Sequence, residues 1–416
     1  MKKILLLTFS LLLLFSCADD DSGIPVNPPD EIPNSDMDLI GRLVCENGMA
    51  GDFPCNDYDL MSRVTLATME AQAGNDVWGW TDSTTGKEYA IMGLTNGTAF
   101  IDISDAENPI YLGKLPTATS PSAWRDIKVY QDHAFIVSEA NGHGMQVFDL
   151  TRLRGVTTSQ SFNADTTFNE FGSAHNIVIN EETGYAYPVG AANQTGSSRL
   201  FNGGPIFVNI SDPKNPVGEG GYEMDAYSHD AQVVTYNGPD TDYTGREILI
   251  GSNENEIVIV DVTDKANPVN ISKISYPNVG YTHQGWFTED ERYFILGDET
   301  DEQNFGFQTR TIVFDFNNLD QPVRSYDYLG PTSAIDHNGY VKDDTFYLAN
   351  YTAGVRILDV SNIETQLTEV GLFDTFPANN SANFSGNWSV YPFFASGNIV
   401  LSDIEGGLFV IRKTGN

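Results

Sequence analysis

The histidines of this chain are few and regularly spaced. Four of the six recur at intervals of 54 residues, at His175, His229, His283 and His337. When a scarce residue occupies the same position in successive repeat units, the folded repeats place its copies around a common axis. Imidazole nitrogens are ligands for iron, copper and zinc. A transition-metal site formed by these four histidines is therefore one hypothesis that the spacing raises.

The histidines belong to an internal repeat of roughly 50 residues, the length of one propeller blade. Each unit has a strand that opens at the histidine, a second that ends in small or acidic residues, a third that ends in an Asp or Asn turn, and a fourth. Examples of the third strand are PIFVNISDPKNP from Pro205 and EIVIVDVTDKANP from Glu256. Asp, Asn and Pro favour tight turns, so the pattern alternates strand and turn. Four short strands per unit predict a β-propeller.

Seven such units can be counted. Two of them carry Arg125 or Trp388 at the histidine position, and the first opens with the segment 78–80. The last unit lacks a fourth strand, while VTLATM from Val64 is a strand without a unit. If this strand pairs with the last unit, it supplies the missing fourth strand and neither is left with an unpaired edge. The sequence therefore predicts an all-β fold, a seven-bladed β-propeller of four-stranded blades over residues 62–414, closed by an N-terminal strand.

Acidic residues are expected beside the histidines. The first strand of a blade starts on the face to which the second strand returns, so residues that close the second strands share the histidine mouth of the channel. These are Glu139, Glu254, Asp298, Glu299 and Glu405. Carboxylates commonly orient ligating imidazoles. Arg125, His143 and Trp388 fall on the same face, and Arg125 would suit an anionic ligand. We expect these residues to line a ligand-binding site.

A structural interpretation of the histidines stays open at this level. Duplication of the repeat copies a histidine whether or not it binds anything, and each ring can be satisfied by a backbone carbonyl of the next blade. The polar side chain that follows each histidine offers a further partner. The sequence alone does not decide between a metal site and a repeated packing residue.

The N-terminus predicts export. Residues 1–16 begin with Met1-Lys2-Lys3 and continue with the apolar run ILLLTFSLLLLFS, which is typical of a signal peptide. The run falls short of the roughly 20 apolar residues that span a bilayer. The ending LFSC resembles a bacterial lipobox, which implies lipidation of Cys17. The acidic residues after Cys17 look like the tag that places lipoproteins on the outer face of the outer membrane. Residues 17–38 are acidic and rich in proline, which predicts an extended tether.

The two remaining cysteines predict a disulfide. Cys45 and Cys55 are an even pair in a chain that is expected to be exported. We therefore expect residues 39–61 to form an N-terminal segment closed by this bond.

The charge of the chain restricts its partners. With 22 Lys and Arg against 57 Asp and Glu, the formal net charge is −35. Such a surface repels nucleic acid and anionic headgroups. We expect no nucleic-acid partner, membrane contact only through the lipid anchor, and a monomer that meets an unknown protein or small ligand at the histidine face.

Several segments resemble the LVIVD-repeat propellers called choice-of-anchor B proteins. They are EIVIVDVTD, WGWTDSTTGKEYAIMGLTNGTAFIDISDAENP and WRDIKVYQDHAFIVSEANGHGMQVFDLTRLRG. The resemblance covers nearly all of the chain after Cys17. It implies a propeller carried to the cell surface by an anchor, here the lipidated cysteine, and it implies no particular activity.

Two functions are consistent with these residues. The first is a surface-anchored propeller that acts as a binding or interaction scaffold through its histidine-lined face. The second is an enzyme that depends on iron, copper or zinc held by the four histidines. Fold alone does not confer chemistry, so the scaffold is the expected function and the metal enzyme is the alternative.

Overall fold

Seven antiparallel sheets are arranged as the blades of a β-propeller, which confirms the fold predicted from the sequence. The computed structural model describes residues 37–415. The innermost strand of each blade contacts the innermost strands of the blades on either side, so the ring is continuous. The expected signal peptide, Cys17 and all but the last two residues of the tether lie outside the described residues. No helix within residues 37–415 is long and apolar enough to cross a membrane.

Each blade has four strands, which run from the channel to the rim. The innermost strands of blades 1 to 7 are Gly74–Thr81, Arg125–Tyr130, Asn176–Asn180, Asp230–Thr235, Thr282–Phe287, Gly339–Lys342 and Asn387–Tyr391. The second strands are Glu88–Leu94, His133–Ser138, Tyr185–Val189, Glu247–Ser252, Tyr293–Asp298, Thr345–Ala349 and Asn398–Asp403. The third strands are Gly97–Asp102, Met145–Asp149, Ile206–Asn209, Ile257–Asp261, Arg310–Asp315, Val355–Asp359 and Gly407–Lys413. The outermost strands are Ile110–Pro116, Thr166–Phe168, Val217–Gly221, Val269–Ile274, Val323–Leu329, Thr368–Phe373 and Tyr58–Val64.

The connections add few further elements. The strand Gln160–Ser161 pairs in parallel with the outermost strand of blade 1. The one α-helix of the described chain, Asp301–Phe305, follows the second strand of blade 5. Three short 3-10 helices are Leu150–Leu153, Leu200–Gly203 and Thr241–Tyr243.

Alternate residues of each strand pack on opposite neighbouring blades, which explains why the strands are apolar without a polar face. In the third strand of blade 4, Ile257 and Ile259 belong to the cluster shared with blade 5. Val258 and Val260 belong to the cluster shared with blade 3. All four side chains are buried. A blade buried on both faces therefore has a continuous hydrophobic run.

The closing strand is Tyr58–Val64, which pairs antiparallel with Gly407–Lys413 of blade 7. The sequence predicted this closure but placed the closing strand at VTLATM, which begins at Val64. The observed strand instead ends at Val64, and it begins at Tyr58, before the predicted start of the propeller at residue 62. Polar residues within it hid the strand from pattern reading. Asp59 is buried and accepts a hydrogen bond from Arg42 Nε at 2.6 Å, and Arg63 donates from Nε to the carbonyl oxygen of Gly406 at 2.8 Å.

The segment 39–61 is built into the ring. Its hairpin Met49–Ala50 and Phe53–Asn56 extends blade 6 by pairing with the outermost strand of that blade. The predicted disulfide between Cys45 and Cys55 is present. The chain after Asn56 then enters blade 7, so this segment spans the junction of blades 6 and 7. The disulfide and the hairpin together hold the N-terminal segment in place where the ring closes, between blades 6 and 7.

Candidate metal-binding site at one mouth of the channel

The four repeated histidines form an arc at one mouth of the channel. Each lies within two residues of the first residue of an innermost strand, in blades 3 to 6. Ring centroids of His175 and His229 are 4.1 Å apart, those of His229 and His283 are 4.4 Å apart, and those of His283 and His337 are 4.3 Å apart. The repeat therefore brings the imidazoles into direct contact, as their spacing predicted.

Hydrogen bonds at Nδ1 fix the orientation of three rings. His229 donates from Nδ1 to the carbonyl oxygen of His283 at 3.1 Å, and His337 donates to that of Trp388 at 2.5 Å. The Nδ1 atom of His175 lies 2.6 Å from Oε1 of Glu139. A carbonyl oxygen only accepts, so the neutral forms of His229 and His337 keep a lone pair on Nε2. Metal-binding histidines use the same arrangement.

Glu299 lies against the arc. Its Oε1 atom is 3.4 Å from Nε2 of His337, and its Oε2 atom is 3.7 Å from Nε2 of His283. One ligand atom each from His229, His283 and Glu299 lie within 4.8 Å of one another. Two ligands of one ion at about 2.1 Å lie roughly 3.0 to 3.4 Å apart in octahedral or tetrahedral geometry. The three atoms are spaced more widely than this, so binding of an ion would require them to move closer together.

The imidazoles next to Glu299 are uncharged at neutral pH. Burial, reinforced by the neighbouring imidazoles, lowers the pKa of His229 and of His283 well below the usual range. Burial lowers the pKa of His337 to about 3. Nε2 of His337 therefore faces a carboxylate oxygen with a lone pair and no proton. A cation bound between Nε2 of His337 and the carboxylate of Glu299 would be attracted by both groups.

His175 differs from the other three in charge. Its burial disfavours the protonated form, but the carboxylate of Glu139 outweighs this effect and raises the pKa of His175. The pair forms one end of the arc, and its side chains are more exposed than those of the other three histidines. His175 thus carries a proton more readily than the rest of the arc and lies outside the group with convergent ligand atoms.

Tyr351 is a site residue that the sequence reading missed. Its hydroxyl donates to Oε1 of Glu299 at 2.9 Å, and its ring lies 4.6 Å from His337. Its φ of 34° is in the left-handed region, which is unfavourable for a tyrosine and is typical of positions where function sets the backbone. A signal was present: Tyr351 follows the second strand of blade 6 within two residues, as Glu139, Glu254 and Glu299 follow the second strands of blades 2, 4 and 5.

An apolar cluster covers the other side of the mouth. The ring of Trp388 lies 4.9 Å from that of His337, as expected for a residue at the histidine position. Trp388 packs with Ile335, Tyr351 and Ile404, and Trp124 of blade 2 contacts the same cluster from across the ring. The histidine arc is therefore bordered by aromatic and aliphatic side chains, and the mouth is divided into a polar and an apolar half.

Arg125 and His143 are placed together and away from the arc. Arg125 is buried, donates from Nε to the carbonyl oxygen of Leu94 at 3.1 Å, and contacts Nε2 of His143 through Nη1 at 2.9 Å. His143 donates from Nδ1 to the carbonyl oxygen of Gly144. Both ring nitrogens of His143 are thus used within the fold.

The remaining acidic residues have different surroundings. Asp298 accepts hydrogen bonds from the backbone nitrogens of Gly280 and Tyr281, at 2.8 and 2.7 Å, so it anchors the loop before the innermost strand of blade 5. Glu254 contacts the hydroxyl of Tyr281 at 3.3 Å. Glu405 accepts from the backbone nitrogen of Gly386, and burial next to Asp403 raises its pKa to about 7. Among these carboxylates, Glu299 and Glu139 contact the histidine arc.

The segment 78–80 does not occupy the histidine position that the sequence alignment assigned to it. The innermost strand of blade 1 begins at Gly74 and contains a bulge between Gly74 and Val77. Its first residues therefore reach the histidine mouth, and Trp78 lies farther along the channel, in contact with Tyr340 and Tyr391. The bulge shifts the register that the alignment assumed.

Comparisons with known proteins agree with this architecture. The chain is similar to the β-propeller domain of Cps50 (Swd1) from Myceliophteria thermophila, with 10% identity, 87% of this chain and 100% of that chain covered, and a TM-score of 0.56. It is also similar to a protein from Lactobacillus plantarum, with 11% identity, 79% and 88% covered, and a TM-score of 0.51. A third similar structure is hydrazine synthase from Kuenenia stuttgartiensis, with 11% identity, 79% and 93% covered, and a TM-score of 0.54. The chain is a β-propeller.

The likeness extends to the fold alone. No family model matches the chain, and no curated protein matches it. Function must therefore be argued from the residues of the propeller itself. Two neutral imidazoles and one carboxylate are the donor set of many iron sites and also suit zinc, and three protein ligands leave coordination positions for water or a substrate. The cluster of His229, His283 and Glu299 could hold such an ion.

Proposed function

We propose that this protein is an exported, lipid-anchored β-propeller that binds its ligand or partner at the histidine face, where a transition metal is held by His229, His283 and Glu299. The observation that carries the proposal is the convergence of these three ligand atoms within 4.8 Å. β-Propellers present rigid faces that suit an interaction scaffold, and a metal would give this face its specificity.

The hydrogen bonds round the arc support the metal. Fixed Nδ1 donors orient the rings of His229 and His337 before any ion arrives, which reduces the entropy lost on binding. The hydroxyl of Tyr351 does the same for Glu299. Iron and zinc fit this nitrogen and oxygen set, and copper fits it if His337 also takes part. A repeated packing residue would need no such convergence of unprotonated nitrogens on a carboxylate.

A metal-dependent enzyme is the second candidate. A specific observation favours it: the pair His175 and Glu139 lies directly beside the ligand His229, with rings 4.1 Å apart. A histidine oriented by a carboxylate next to a metal is suited to moving a proton to or from a bound molecule. Nitric oxide added to iron-loaded protein tests for an open coordination position, and an unchanged spectrum would contradict this candidate.

The location is proposed on the sequence. The lipobox-like ending before Cys17 and the acidic residues behind it support anchoring at the outer face of the outer membrane, and the LVIVD-like strands support membership of the choice-of-anchor B family. Labelling of cells with an alkyne fatty acid checks the anchor. Wild-type protein should take up the label and Cys17→Ser should not. Protease added to intact cells should degrade the propeller if it faces outward.

Metal content is the decisive measurement. Full-length protein, purified from membranes and also reconstituted separately with Fe(II), Zn(II) and Cu(II), is analysed by elemental mass spectrometry. One ion per chain is expected in the wild type, with loss in His229→Ala and Glu299→Gln. His133→Gln is the matched control, because His133 contacts the carbonyl oxygen of Gln131 and lies outside the arc. Absence of a stoichiometric ion from every wild-type sample would refute the metal site.

A further inference from the structure

A second pocket opens at the opposite mouth of the channel. Its enclosed volume is about 100 Å³, and its walls come mainly from the innermost strands of blades 1 to 5. Trp78, Lys128, Gln232 and Trp286 are among the lining residues. Gln232 follows His229 by three residues on one strand, which places it about 10 Å from the histidine arc at roughly 3.3 Å per residue. The pocket is therefore a separate place from the metal cluster.

Two indole rings are held in the wall of this pocket. Trp78 and Trp286 are each partly exposed, and both contact the ring of Tyr340 edge-on, at 5.6 and 4.9 Å. Trp78 also contacts Tyr391 at 5.1 Å. These contacts fix both indoles without burying them. A rigid aromatic wall loses little entropy when a ligand packs on it.

Unused hydrogen-bonding groups accompany the indoles. Within residues 37–415, neither indole N–H of Trp78 and Trp286 donates a hydrogen bond, and neither does the side-chain nitrogen of Gln232. The Oε1 atom of Gln232 accepts from the backbone nitrogen of Phe287 at 2.8 Å, which fixes the orientation of the amide. In the same part of the chain the carboxylate of Glu181, also in the pocket, makes no hydrogen bond or ion pair. The pocket thus offers several donors and one strong acceptor.

The charge of the pocket disfavours ions as ligands. The ammonium group of Lys128 is 2.6 Å from Asp126 and 3.4 Å from Asp76, so it is already paired and has little attraction left for an anion. It also lies 4.6 Å from the ring centroid of Trp78, where it would repel an organic cation. A neutral ligand does not depend on attraction by Lys128 and is not repelled by it.

We propose that this pocket binds the ring of a neutral sugar. A hydroxyl group both donates and accepts, so neighbouring hydroxyls can donate to Glu181 and accept from Gln232 and the indoles. The C–H face of a pyranose supplies the apolar surface that packs on Trp286. The enclosed volume is below the roughly 300 to 1,000 Å³ of pockets that bury a whole ligand, so the pocket receives one side of a single sugar ring and leaves the rest in solvent. The site goes beyond the metal site and does not depend on it.

The test is a binding screen with sugars of known composition. Saturation-transfer NMR is carried out on the full-length protein with glucose, galactose, mannose, N-acetylglucosamine and their disaccharides, and calorimetry follows on any sugar that binds. Glu181→Gln should weaken binding about tenfold, the value of one hydrogen bond to a charged acceptor. Trp286→Ala should abolish it. Glu182→Gln is the matched control, because Glu182 is also exposed and does not line the pocket.

Two results would overturn the sugar site. One is that no sugar of the panel binds the wild type. The other is that binding is unchanged in both Glu181→Gln and Trp286→Ala, since the ligand would then lie elsewhere. If Trp286→Ala does not fold, Glu181→Gln alone decides, because that residue is at the surface. His229→Ala should bind sugar like the wild type, so this proposal and the metal site can fail separately.

Discussion

His143 should contribute to the loss of stability of this propeller in acid, and His143→Gln should remove that contribution. His143 is completely buried between Arg125 and the carbonyl oxygen of Gly144. Burial, and then the charge of Arg125, lowers the pKa of His143 from 6.5 to about 4. A glutamine can reproduce both contacts, because its oxygen accepts from Arg125 and its nitrogen donates to Gly144, but it does not titrate.

The direction and size of the effect follow from these values. The unfolded chain takes up a proton at His143 as the pH falls through 6.5, while the folded chain does so only near pH 4. In this interval the unfolded state binds more protons, so the free energy of unfolding decreases as the pH is lowered. At about 1.4 kcal/mol per pH unit, the loss attributable to His143 between these two pH values amounts to about 3 kcal/mol.

Urea unfolding of the wild type and His143→Gln at several pH values from 7.5 to 4 checks this prediction. The two proteins should differ little at pH 7.5, and the variant should become the more stable one as the pH approaches 4. The buried histidines of the arc titrate in both proteins and cancel in the comparison. Parallel stability curves for the two proteins would refute the reasoning, because His143 would then have the same proton affinity folded and unfolded.

Two other predictions concern the metal site and the ring closure. Tyr351→Phe removes the hydrogen bond to Glu299 and should weaken metal binding by about 10 to 100-fold, measured by competition with a chelator, with the fold unchanged by circular dichroism. Tyr236→Phe, another buried tyrosine, should leave metal binding unaffected. Replacing both Cys45 and Cys55 by Ser opens a bond between residues 10 positions apart. It should lower the free energy of unfolding by about 2 to 3 kcal/mol in urea without changing metal content, and a loss of metal would contradict the separation of the two regions.

The sequence predicts the blades well because each blade is a local unit. Strands of one blade are joined by short turns, and the turn residues and apolar runs recur in every unit. The closing strand Tyr58–Val64 was misplaced because its partner is Gly407–Lys413, at the far end of the chain. Its buried Asp59 and Arg63 are satisfied by contacts that exist only after the ring has closed. Local pattern cannot reveal a strand whose polar residues are neutralised by distant groups.

The site was predicted in place but not in detail. The spacing of the histidines located the arc, because one position of each repeat maps to one height in the channel. It did not separate Glu299, which reaches the arc, from Asp298 beside it, which turns to the backbone of Gly280 and Tyr281. Adjacent residues at the end of a strand point in opposite directions, so a difference of one position decides whether a carboxylate reaches the arc.

The two mouths of the channel are built from the same strands, and this limits how they can influence each other. The innermost strand of blade 5 carries His283 at the metal cluster and Trp286 at the other mouth, and that of blade 4 carries Gln232 just beyond His229. Both strands are hydrogen-bonded within their blades and packed between neighbours, so neither has a second arrangement to adopt. Coupling between two sites requires such an alternative state. If both proposals hold, the metal site and the sugar site should therefore fill independently of each other, on the opposite faces of the ring.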